Sequence, residues 1–172
     1  MLNLLTALKK EIFPIGLILI LAFARLIPHP PNFTPIIAVA IMSGYLFKNV
    51  TLSFAVLLVS MLLADVFFGF YEHMLFVYLS LALITFLFFK ISSKINLKNL
   101  FIFSFLGSCI FFIISNFGVW AMGNLYEKSF NGLLECYFMA IPFFKNTILS
   151  TLIFSYSTFL ANFYYKKIKN FN

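Results

Sequence analysis

Charge is scarce in this chain. Charged residues make up 10% of it, with 5 acidic and 12 basic side chains in 172 residues, against about 25% in ordinary soluble domains. Hydrophobic residues make up 63%, and the mean hydropathy is +1.03. No packing of one small domain hides that much apolar surface from water. A soluble globule is therefore excluded, and an integral membrane protein of one domain, residues 1–172, is expected. Cysteine is nearly absent. Cys109 lies in an apolar run and Cys136 beside Glu135; without CxxC spacing they make neither a zinc site nor a disulfide framework, and both read as structural thiols. The histidines, His29 and His73, have no third ligand placed by spacing, so no metal and no cofactor are expected. Nucleophile elbows, HExxH motifs and paired catalytic carboxylates are missing, which points away from an enzyme.

The net charge of +7 does not imply nucleic acid. The lysines sit in short clusters between apolar runs, and no basic face carries polar readout residues among them. The first apolar run follows Lys9, Lys10 and Glu11 and ends without a small-residue cleavage pattern, so no cleavable signal peptide is expected.

What is present is a series of apolar runs. They predict an all-α bundle of six transmembrane helices at about residues 13–27, 34–47, 51–68, 74–89, 100–119 and 143–164. Residues 1–12 form a short amphipathic start. Residues 132–141 form an amphipathic or re-entrant piece, separated from the last span by a break near Pro142. Ala40 and Gly44 are spaced four apart on the second run, as small residues are where helices approach closely in lipid. With six spans, Lys9, Lys10, Lys48, Lys90, Lys94, Lys98, Lys166, Lys167 and Lys169 share one side. The positive-inside rule makes that side cytoplasmic, with both termini on it, in a bacterial inner membrane.

The interruption at residues 25–35, RLIPHPPNFTP, carries Arg25, His29, Asn32 and four prolines. It cannot continue as helix, and polar non-helical backbone at membrane depth must meet water or line a cavity. The same end of the bundle collects polar residues from the other runs: Asp65, Glu72 and His73; Asn116 and Trp120; Glu135, Lys145 and Asn146. The inner half has none beyond its lysine fringe, which argues against proton or ion conduction through the full depth. Two readings are open. In one, Arg25–Asp65 and Lys145–Glu135 are structural ion pairs, and Trp120, Tyr71, Tyr126 and Tyr137 belong to an interfacial belt. In the other, these residues surround a pocket open to the outside. There Arg25 meets an anionic group or orders the site with Asp65, and Asn32, Asn116 and Asn146 exchange hydrogen bonds with a ligand. Trp120 stacks on a ring. The helix break at Pro142 aims free amides at the site.

The segments RLIPHPPNFTPIIAVAIMSGYLF, LADVFFGFY and SNFGVWAMGNLYEKSFNGLLECYFMAIPFFKNTILS resemble an uncharacterised family of bacterial membrane proteins. That family is similar to the substrate-binding S components of energy-coupling-factor (ECF) vitamin transporters. The resemblance implies six helices, capture of a vitamin-like solute from outside, and partnership with a membrane scaffold subunit and cytoplasmic ATPases. S components often carry small residues four apart on the first helix. Here that spacing falls on the second run, while the first offers Gly16, Ala22 and Ala24. The expected function is binding of a small solute for uptake. The alternative is a non-catalytic six-span scaffold of the cell envelope or shape machinery, which would spend its polar residues on cytoplasmic loops. A third reading, an outer-leaflet lipid enzyme using Asp65 or His73, needs a water-activating pair within hydrogen-bond reach.

Overall fold

Lys48 and Asn49 show how this chain turns. Lys48 adopts a left-handed conformation (φ 51°) and its N–H bonds the Gly44 carbonyl, closing one helix. Asn49 is extended, and its side-chain oxygen accepts the Leu52 N–H at 3.0 Å, opening the next. Such punctuation divides a computed structural model, which describes residues 2–24 and 27–169. The helices are α1 (Leu2–Ala24), α2 (Ile36–Phe47), α3 (Val50–Phe68), α4 (Met74–Lys90), α5 (Leu100–Met122) and α6 (Phe130–Lys169), with a 3-10 turn at Ser92–Lys94. No strand occurs among the described residues. The expectation of an all-α protein holds.

The helices are not six equal spans. α3, α5 and α6 are long and apolar enough to cross a membrane. α2 has 12 residues, about 18 Å at ~1.5 Å per residue, short of a ~30 Å hydrocarbon layer. Its role is different. It is buried on nearly every side and packs against each of the other helices, as a helix apolar all round should. Ile37, Ile41 and Met42 fill the centre with Leu57 and Met61 of α3, Leu81 and Ile84 of α4 and Leu100 of α5.

The amphipathic start is not a separate element, and the expected break near Pro142 is absent. Residues 2–12 are the first part of α1, which runs through Pro14. Residues 132–141 belong to α6, which continues through Pro142 without interruption. Proline removes one N–H, yet the exposed Pro142 ring lies on the outer face of the helix, and apolar surroundings tolerate helical prolines when the neighbouring turns stay bonded. No free helix start exists there to face a ligand.

The packing is inverted relative to a soluble protein. On α5 the buried positions include Ser104, Gly107, Ser108, Ser115 and Gly118, while Phe101, Ile102, Phe105, Leu106 and Ile113 are exposed. On α6, Thr147, Ser150, Thr151, Ser155 and Thr158 are buried, while Phe138, Leu149, Ile153 and Phe163 are exposed. Small residues bring backbones together where surroundings are as apolar as leucine. Several of these hydroxyls bond the carbonyl one turn back, as Ser108 does to Ser104 at 2.9 Å and Thr158 to Phe154 at 2.7 Å. This surface suits hydrocarbon.

Candidate functional site

Pro30, Pro31, Asn32 and Phe33 form a turn in which the Phe33 N–H bonds the Pro30 carbonyl at 3.0 Å. Proline at the second position and a positive φ at the third (Asn32, 60°) are the signature of a type II turn. The turn is tied down twice. The Asn146 amide donates to the Pro31 carbonyl at 3.0 Å, and the Phe33 ring meets the Phe154 edge at 6.1 Å. Both anchors are on α6. The polar loop is thereby held across the end of the bundle opposite Lys48 and the Lys90–Lys98 turn.

Beneath it lies a cavity of about 280 Å³. Asn32 and Thr34 come from the loop, and Tyr71 and His73 from the turn between α3 and α4. Ile36 and Ile37 of α2, and Val77 of α4, form its apolar side. Opposite them stand Phe111, Phe112, Ser115, Asn116 and Val119 of α5, and Thr147 of α6. The polar groups on the helices are already oriented by their own backbones. Ser115 donates to the Phe111 carbonyl at 2.6 Å, Asn116 to Phe112 at 2.7 Å, and Thr147 to Phe143 at 3.2 Å. Each hydroxyl keeps acceptor lone pairs, and Asn116 keeps its carbonyl and a second N–H. His73 packs against Tyr71 with ring centroids 4.8 Å apart. Burial lowers its proton affinity below the usual value, and the Glu72 carboxylate opposes that. The imidazole is accordingly neutral at pH 7, one nitrogen donating and the other accepting.

None of the described lining residues carries a full charge at neutral pH. The first turns of α2 and α4 have no side-chain caps and border the cavity. A helix start stabilises an anion by about 0.3–1 kcal/mol, up to ~2 in favourable geometry. Stripping water from a carboxylate costs several kcal/mol. Two helix starts favour a ligand's carbonyl oxygen and fall short of compensating a buried anion.

Of the residues expected around the site, the structure brings Asn32 and Asn116 onto the cavity, with Asn146 holding its cover. Arg25 lies outside the described residues. His29 is exposed, with Nδ1 3.0 Å from the Pro30 carbonyl oxygen. Asp65 is fully buried between α3 and α4 and accepts the Tyr78 hydroxyl at 2.8 Å; it is part of a helix–helix contact, off the cavity. Trp120 is not among the residues that line the cavity. Its indole N–H bonds the Glu127 carbonyl at 2.9 Å, and its ring packs on Phe117 beneath the Lys128 ammonium, which donates to the Trp120 and Gly123 carbonyls. Glu135 is exposed beside a shallow apolar depression of about 490 Å³ bordered by Phe112, Leu134, Tyr137, Phe138 and Ile141. Lys145 is exposed as well. On an unbroken helix ten residues separate it from Glu135 by about 15 Å, too far for the expected ion pair.

Sequence reasoning passed over Thr34, Phe111, Phe112, Ser115 and Thr147. Ser115 and Thr147 adjoin the predicted Asn116 and Asn146. One residue is a 100° rotation on a helix, and nothing in a uniformly apolar helix marks which neighbour faces inward. No group of three His, Cys, Asp or Glu side chains converges on a metal position among the described residues. Cys136 is buried, with its thiol 3.5 Å from the Asn116 carbonyl.

The loop, the α3–α4 turn and the helices that build this cavity all fall within one family model. No curated protein and no solved structure matches the chain. The chain belongs to the family of unknown function DUF6580, whose model matches residues 6–171.

Proposed function

We propose that this protein spans the bacterial cytoplasmic membrane as a six-helix bundle, with both termini inside, and binds a small solute at its outer face for uptake. One observation carries the reading. A loop, a turn and four helices contribute to a single cavity that mixes oriented neutral polar groups with aromatic and aliphatic walls, the usual make-up of a solute pocket. The distribution of lysines supports the orientation, and the resemblance of the quoted segments to an S-component-like family is the reason for proposing uptake. A scaffold has no use for such a cavity, and its turns on the basic side are short.

The test is native mass spectrometry of the protein purified in mild detergent, followed by extraction of bound small molecules. A stoichiometric adduct that is lost from a folded Asn116→Leu variant is expected. Wild-type protein that carries no adduct and binds nothing saturably from a small-molecule extract of whole cells, yet co-purifies with an envelope complex, would establish the scaffold instead.

A further inference from the structure

Resting on the reading of the cavity as a solute site, we infer that its ligand is an uncharged planar ring compound bearing both hydrogen-bond donors and acceptors, with Asn116 and His73 selecting against charged analogues. Four observations lead there. First, no lysine, arginine, aspartate or glutamate is among the described residues lining the cavity. The described carboxylates nearby are off the lining: Asp65 accepts from Tyr78, and Glu72 is exposed beside His73. A charged ligand would find no charged partner among these described residues, which favours an uncharged one.

Second, the polar groups offer donors and acceptors together. Asn116 has an unspent carbonyl and one unspent N–H, Ser115 and Thr147 offer acceptor lone pairs, and a neutral imidazole offers one of each. A ring amide or lactam, with its carbonyl next to an N–H, is the complementary pattern. Third, Phe111, Phe112, Tyr71 and His73 supply aromatic rings to the lining. Phe112 is itself backed by Phe144 at 4.5 Å and Tyr137 at 5.7 Å, so its ring is fixed before any ligand arrives. Fourth, about 280 Å³ lies at the small end of ligand pockets, which run from roughly 300 to 1,000 Å³. That volume favours a compact ligand of one or two fused rings.

The experiment uses full-length protein in nanodiscs and two matched sets of probes. One set is nicotinamide, its anionic acid nicotinate and the cation 1-methylnicotinamide; the other is uracil and its anionic relative orotate. Within a set, ring size is nearly constant while charge changes. The neutral members are expected to bind at least ~10-fold more tightly than the charged ones, and His73→Lys is expected to turn the preference toward nicotinate and orotate. Asn116→Leu should abolish binding of the neutral members. In parallel, Val119→Cys and, at the rim, Thr34→Cys are each made in a Cys109→Ala, Cys136→Ala background. They are treated from outside with a membrane-impermeant thiol reagent. Labelling that a neutral probe blocks supports both readings. Labelling with binding of the charged members at equal or higher affinity, or with no binding of either set, overturns the ligand class and leaves the outward cavity standing. Absence of labelling at both positions in folded protein overturns the proposed solute site itself.

Discussion

At Asn32 two demands fall on one side chain. The turn needs a positive φ, which asparagine tolerates and alanine does not, and the cavity needs a polar group on its rim. The two demands separate under substitution. Asn32→Gly should leave thermal stability nearly unchanged while weakening ligand binding. Asn32→Ala should weaken binding equally and also cost about 1–2 kcal/mol, the penalty for a Cβ in left-handed backbone. Equal melting temperatures for the two variants would show that the turn is not under this constraint. His73 makes a second residue-scale prediction. Its folded proton affinity lies below the unfolded reference near 6.5. Between those two values the unfolded chain holds more protons, so stability rises with pH across that window and is flat above it. Unfolding temperature should fall on acidification below the unfolded value and level off once folded His73 is itself protonated. His73→Gln should remove that slope; a slope unchanged in the variant would assign it to another group.

Between helices, close approach depends on glycines that are not interchangeable. A Cβ at Gly118 of α5 would lie 2.4 Å from Phe76 Cβ and 2.6 Å from its Cγ, all side-chain atoms of α4. A Cβ at Gly44 of α2 would lie 2.7 Å from Phe89 Cα, which is backbone. Each Gly→Ala change overpacks an interface and should cost about 1–3 kcal/mol. The rescue differs. Phe76→Gly, which removes both the obstructing Cβ and Cγ, should relieve Gly118→Ala, giving a favourable coupling of about 0.5–3 kcal/mol in a double-mutant cycle. Phe89→Ala should not relieve Gly44→Ala, because the obstructing Cα remains and α2 and α4 must part. Thermal unfolding of the two cycles in one detergent decides it, and equal rescue at both would contradict this packing. The sequence marked Gly44 through its four-residue spacing from Ala40. Nothing local marked Gly118, whose constraint comes from a phenylalanine on a different helix.

For the whole molecule, the alternation of helices puts the Ser92–Lys94 turn and the residue 123–129 loop at opposite ends. In the proposed orientation, Asn124→Cys in a cysteine-free background should react with an impermeant thiol reagent added to intact cells. Lys98→Cys should react only after the membrane is opened. Reaction of both from one side would refute the orientation. The sequence by itself determined much at this scale. Scarce charge and long apolar runs dictated a helical protein suited to lipid. The prolines of residues 28–35, the Lys48–Asn49 pair and the stretch after Lys90 mark helix ends, because those signals are local and act through backbone geometry and water, whereas Pro14 and Pro142 lie inside helices. The same logic placed a polar, non-helical lip at one end and put Asn32 and Asn116 near it. Only the tertiary structure decided which side of each helix faces inward. When core and surroundings are equally apolar, hydrophobic periodicity carries no direction. Trp120 could thus be expected on the ligand and instead bond Glu127, Thr147 could replace its neighbour Asn146 on the wall, and α2 could pass for a span while serving as the core. Those outcomes depend on which helices meet, a property of the assembled bundle that no single segment encodes.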